Sequence, residues 1–157
     1  MFRGMRRAKR QLSREDCEAI LAQEKRGVLS LAGDGGYPYG VPLNFVYLDG
    51  KLYFHSAVEG HKLDAIASCD KACFTVWNQG YQNEGEWWYH VSSVICFGRA
   101  RLVEDAALKR ESLMALAGKY FPPGHSDVPA EIERDWKRVA VIELEIEHMT
   151  GKLVKEE

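Results

Sequence analysis

The chain has 157 residues, of which 46% are hydrophobic and 28% charged, and carries a net charge of −2. That length suits one domain with a real core, no apolar run approaches a bilayer span, and the slight negative charge argues against a general nucleic-acid binder. The four cysteines, Cys17, Cys69, Cys73 and Cys96, sit in ordinary helix and strand patterns rather than a disulfide framework, so a cytoplasmic location is expected.

Residues 1–10 carry Arg3, Arg6, Arg7, Lys9 and Arg10. This basic arm lacks the apolar core of a signal peptide. It reads as a solvated tail or a strap across a subunit interface, with contact to nucleic acid or an acidic partner as the alternative. Ser13 then looks like an N-cap, with Glu15 and Asp16 in the first turn and Cys17, Ile20 and Leu21 as the apolar stripe of a helix ending near Gly27. Residues 28–31 read as a strand, 34–36 as a turn and 39–47 as a second strand. Pro42 cannot donate to a ladder and marks an edge or a bulge. Asn44 lies among apolar neighbours, where an amide needs partners; it either holds the backbone or hydrogen-bonds a ligand. Asp49-Gly50 is a two-residue hairpin signal leading into a strand at 51–55.

The next stretch, 55–62, organises the functional reading. Leu63, Ile66 and Ala67 recur at helical spacing, so His61 and Lys62 fall in a first helical turn. The helix dipole already places partial positive charge there, which disfavours cations. Ser56, His61, Lys62 and the amide groups near Gly60 offer donors to an anion, and a phosphate is the usual one. The bland alternative is a helix start that faces water, with Glu59 neutralising part of the charge.

The helix closes near Ser68, and 72–77 reads as a strand. Residues 78–86 form a polar loop, followed by Trp87, Trp88 and Tyr89, which cover a planar ligand, meet a partner chain or belong to the core. The longest strand pattern is 91–103. Val94, Cys96, Gly98, Ala100 and Leu102 share one face; Ile95, Phe97, Arg99, Arg101 and Val103 share the other. Apolar residues on both faces suit a barrel wall that also meets a partner subunit. Arg99 there needs an anion or a structural carboxylate. Residues 105–121 and 129–137 read as helices separated by Pro122-Pro123-Gly124. In 138–148, Ala140, Ile142, Leu144 and Ile146 point inward while Glu143, Glu145 and Glu147 point outward.

Six or so strands with short turns and peripheral helices predict a mainly β, antiparallel barrel in a single domain, 1–157. No G-x-G-x-x-G follows a strand and no nucleophile elbow is present. Cys69 and Cys73 lack a second pair with metal spacing, and His55 and His61 lack a local companion unless His90, His125 or His148 approaches, so no metal is expected. A phosphate cradle without a nucleophile or metal points to a phosphorylated cofactor that brings its own chemistry.

With those residues in place the chain resembles the flavin-binding split-barrel proteins related to pyridoxamine 5'-phosphate oxidase, most of all the 5-nitroimidazole-resistance (Nim-like) group. The matching stretches are Met5-Arg6-Arg7, Arg26-Gly27-Val28-Leu29, Gly36-Tyr37-Pro38-Tyr39 with Val41-Pro42-Leu43-Asn44, and Tyr53-Phe54-His55-Ser56-Ala57 with Gly60-His61-Lys62. Ser93-Val94-Ile95, Phe97-Gly98-Arg99-Ala100, Arg138-Val139-Ala140-Val141 and Thr150-Gly151-Lys152 follow in the same order. The resemblance implies a split β-barrel homodimer with FMN, or FAD in its place, at the subunit interface. It implies that His61, Lys62 and Gly60 hold the flavin phosphate, that His55, Ser56 and Ala57 lie beside the ribityl chain and ring, and that Val41, Pro42, Leu43 and Asn44 face the isoalloxazine. Ser93 and Val94 would approach the ring or phosphate, and Arg99 is a further cofactor-binding candidate. In the oxidase the first phosphate position is arginine; here it is His61, whose charge depends on pH. The implied activity is an FMN-dependent oxidoreductase of the nitroimidazole-reductase type acting on a small organic acceptor, with His55 donating a proton or hydrogen-bonding the flavin. The alternative is a flavin- or haem-binding carrier without turnover. Neither nucleic acid nor membrane is an expected partner.

Overall fold

The computed structural model describes residues 1–124 and 127–154. Seven strands form one antiparallel sheet: β1 (Arg26–Ala32), β2 (Pro38–Asn44), β3 (Val46–Leu48), β4 (Lys51–Ala57), β5 (Lys71–Trp77), β6 (Val91–Leu102) and β7 (Val139–Val154). Their order across the sheet is β2-β1-β5-β6-β7-β4-β3. The four helices are α1 (Arg14–Gln23), α2 (His61–Ser68), α3 (Ala106–Tyr120) and α4 (Val128–Asp135). Ser13 caps α1 by accepting from the Asp16 amide, and Asp105 caps α3 by accepting from the Leu108 amide. At the Asp49-Gly50 turn both residues take positive φ, 50° and 79°, as a tight hairpin requires.

Residues 39–47 are not one strand. The ladder breaks at Phe45, which separates β2 from β3, and these two lie at opposite edges of the sheet. Consecutive residues can reach both edges only because the sheet curls almost closed. Pro42 accordingly lies on an edge strand, where its missing donor costs nothing. The seam is joined by one side chain. Tyr120 Oη accepts from the Phe45 amide at 2.8 Å and lies 2.5 Å from the Lys25 carbonyl and 2.8 Å from the Phe45 carbonyl. Strand β7 runs well past residue 148, through Thr150-Gly151-Lys152, because the first half of β6 pairs with it there.

Alternation along the strands divides the apolar residues into two cores. Leu29, Leu52, Phe54, Phe74, Val94 and Leu144 fill the barrel, whose ends are closed by Cys17 and Leu21 of α1 and by Leu63 and Ile66 of α2. Outside the barrel, Tyr53, Val103 and Val141 pack against Leu113, Leu116, Val128 and Ile132 of α3 and α4. Glu143 points outward as its alternation predicts, yet its side chain is wholly buried. It accepts hydrogen bonds from Lys51, Tyr53 and Arg101. The outer face of β5 and β6 differs: Trp77 and Phe97 remain 52% and 37% exposed. The N-terminal arm covers part of it: Phe2 stacks on His148 at 4.7 Å and sits 5.5 Å from Phe97, and Arg3 and Met5 line a groove with Ser93 and Ile95.

Candidate functional site

The start of α2 is built as the sequence suggests. Gly60, the N-cap, has φ 130° and ψ 169°, a conformation closed to residues with a Cβ, and the space beside it is open. No side chain caps the helix, and the first turn opens with His61 and Lys62, its only acid being Asp64. The His61 ring stacks on Tyr39 at 4.1 Å, and its Nε2 lies 3.5 Å from Asp34 Oδ2, so Asp34 rather than Glu59 supplies local counter-charge. That carboxylate is almost fully solvent-exposed, and screening leaves the contact weak. An uncapped N-terminus flanked by two cations fits a phosphate.

Ser56 and His55 are adjacent on β4 and point to opposite faces. Ser56 turns toward the barrel interior, where its hydroxyl is covered and has no hydrogen-bond partner among the described residues. His55 and Ala57 point outward and are exposed. Partial desolvation of its ring by the surrounding atoms, and then the Lys62 charge, hold the His55 pKa below the ordinary histidine value. The imidazole is therefore neutral at pH 7 and presents one donor and one acceptor.

Asn44 belongs with His55. Asn44 ends β2, on the far side of the Phe45 break from the β3–β4 ladder. Asn44 and His55 both open into a cavity of about 360 Å³ between the sheet and the helices. Leu113, Leu116, Ala117, Tyr120 and Phe121 form its α3 wall, and Val128, Glu131, Ile132 and Asp135 its α4 wall. The space is apolar with a polar floor, the character of a small-molecule pocket. Of the neighbouring positions, Val41 and Leu43 are half-buried against the barrel core while Pro42 faces out.

Other expected positions lie apart. Ser93 is outward and half-buried, in a groove with Arg3, Met5, Thr150 and Lys152. Val94 is completely buried in the barrel. Arg99 is exposed and committed to carboxylates, Asp70 and Glu147, each at 2.9 Å. Trp87 and Tyr89 are exposed, while the covered indole N–H of Trp88 has no partner among the described residues. His90 is buried 2.7 Å from Glu86, and His125 lies outside the described residues. No group of three or more metal-ligating side chains occurs among the described residues. No described helix is long and apolar enough to cross a membrane. Two contributors were missed from sequence: Tyr120, which reads only as part of the α3 stripe, and the α4 wall, which no local pattern ties to β4.

Comparison with known proteins follows the same lines. A candidate 5-nitroimidazole antibiotic resistance protein from Bacteroides thetaiotaomicron superposes with a TM-score of 0.78 at 26% identity, covering 91% of this chain and 86% of that one. An FAD-binding protein from Mesorhizobium loti gives 0.69 at 24% identity, covering 93% and 98%. An FAD- and heme-binding protein from Mycobacterium smegmatis gives 0.75 at 23% identity, covering 94% and 74%. No curated protein matches. The family model for pyridoxamine 5'-phosphate oxidase matches residues 13–153. The curled seven-stranded sheet is thus the split barrel of these proteins, and the chain belongs to the pyridoxamine 5'-phosphate oxidase family.

Proposed function

We propose that this chain binds a flavin, FMN in the first place and FAD as the alternative, and uses it to reduce a small organic acceptor as a nitroimidazole-type reductase would. The observation that carries the reading is the start of α2: an open, uncapped helix N-terminus that begins with His61 and Lys62. A bound flavin would supply the electron chemistry. His61, Lys62 and the first amides of α2 would hold its phosphate. His55, neutral at pH 7, would donate or accept a hydrogen bond at the cavity floor beside the Asn44 amide. The apolar α3 and α4 walls would exclude water. The likeness to a candidate 5-nitroimidazole resistance protein and to FAD-binding proteins supports the choice of cofactor class. We also propose a homodimer, with the outer face of β5 and β6, which no helix covers, as the contact. The FAD- and heme-binding relative favours a second reading, a flavin or haem carrier without turnover.

The test begins with an absorption spectrum and a mass for whatever copurifies. Flavin bands and the mass of FMN are expected, and Lys62→Ala should weaken flavin binding by about 1.5–3 kcal/mol, the scale of a charge-assisted hydrogen bond. A colourless chain that takes up neither FMN nor FAD would end the flavin reading. Turnover with nitroaromatic and quinone acceptors separates the reductase from the carrier.

A further inference from the structure

The polar groups that line the cavity between the sheet and the α3 and α4 walls are not equally free. No lysine or arginine is among its lining residues. Of its two carboxylates, Asp135 is paired with Arg138, and Glu131 is engaged as well. The Tyr120 hydroxyl is taken up by Phe45 and Lys25 at the barrel seam. Two side chains remain. Asn44 is half-buried, and neither it nor His55 makes a side-chain hydrogen bond among the described residues.

Asn44 and the neutral His55 each carry donor and acceptor groups. A half-buried amide without a protein partner leaves those groups to a ligand or to water. The walls facing them are apolar: Leu113, Leu116 and Ala117 of α3, and Val128 and Ile132 of α4. An ion placed among these side chains would give up hydration and find no unpaired counter-charge. A carboxylate offers only acceptors and an ammonium only donors, so either leaves half of the Asn44 amide unanswered. An amide edge, with C=O beside N–H, is the smallest group that answers both halves at once, as in the paired contacts that asparagine makes to a base edge. The volume, about 360 Å³, lies at the small end of ligand pockets and suits a single ring system.

We infer that the cavity takes an uncharged ring compound bearing an amide edge, with the amide paired on Asn44, a further hydrogen bond to His55, and the ring between the sheet and the α3 and α4 walls. Asn44 is then the residue that selects this ligand over acids and amines of the same shape. This deepens the proposed function by naming the class of the electron acceptor, and rests on that reading only in calling the ligand an electron acceptor.

The test is calorimetric titration of the purified full chain at pH 7, with and without added FMN, using benzamide, benzoate and benzylamine. These probes share a ring and differ in charge and in donor–acceptor pattern. Benzamide should bind about tenfold more tightly than either ion, the scale of one hydrogen-bonding group left unanswered. Asn44→Asp keeps the shape of the side chain but offers acceptors alone; it should reverse the order and put benzylamine ahead of benzamide. In the parent chain, benzamide should also shift the NMR signals of the Asn44 side-chain amide, a readout that needs no variant. Equal affinities for the three probes, no binding of benzamide, a benzamide preference that survives Asn44→Asp, or an unmoved Asn44 amide signal would overturn the assignment. So would benzamide binding that FMN abolishes, because the cavity would then be the flavin's own seat. A flavin spectrum recorded alongside separates the two hypotheses: a chain that selects benzamide but takes up no flavin defeats the flavin reading alone.

Discussion

At the scale of single residues, Glu143 shows how a carboxylate is kept charged away from water. Burial alone would raise its pKa, but hydrogen bonds from Arg101, Lys51 and Tyr53 outweigh burial, and the net value lies below the ordinary one. The linkage sign follows: the stability this group contributes is complete above the unfolded carboxylate pKa and is lost as pH falls through the lowered folded value. Glu143→Gln should therefore cost about 2 kcal/mol at pH 7, and its gap to the parent should narrow below about pH 4. Urea unfolding at pH 7 and pH 3 measures this; an unchanged gap would mean the charge is not what the site rewards. His61 and Lys62 were legible because helix periodicity and the dipole are local. Arg99 was not, because Asp70 and Glu147 lie 29 and 48 residues away and no local pattern announces them.

At the scale of elements, the sequence showed most strands through their alternation but not the break at Phe45. Apolar character continues from Val41 to Tyr47, so nothing local says that the ladder changes partners there. Likewise β7 loses its alternation after residue 147, and only the twelve-residue length of β6 hints that a partner must continue. The break depends on Tyr120. Its hydroxyl serves the amide of Phe45, a residue with no solvent exposure, which has no water to replace that partner. Tyr120→Phe should lower stability by about 1–3 kcal/mol, the cost of an unsatisfied buried group. It should also speed hydrogen exchange at the Phe45 amide more than at the centre of β5. Uniform protection in the variant would show that the seam is held by packing instead.

For the whole molecule, two-layer burial explains why the chain reads as apolar on both sides of several strands. Inside is the barrel; outside, one stretch is covered by α3 and α4, and another, around Trp77, Ile95 and Phe97, by no helix. Sequence alone could not apportion the outer faces, because which strand a helix covers depends on contacts distant in the chain. A homodimer through the open stretch should sediment at twice the chain mass. Phe97→Asp, at a position already 37% exposed in the single chain, should yield monomers without unfolding them. A parent protein that sediments as a monomer with flavin bound would remove this contact from consideration.

The order of strands across the sheet also bears on how the chain is made. The hairpins β1–β2 and β3–β4 involve residues within the first 57 and can form as soon as they leave the ribosome. Their remaining partners come later: β5 for β1, and β7, the last strand, for β4. Tyr120, which joins the two edges, follows Phe45 by 75 residues. A nascent chain thus carries two open strand edges through most of its synthesis, the kind of edge that pairs with other chains. Chains arrested before residue 139 should aggregate or be held by chaperones, whereas chains released after residue 154 close their own sheet.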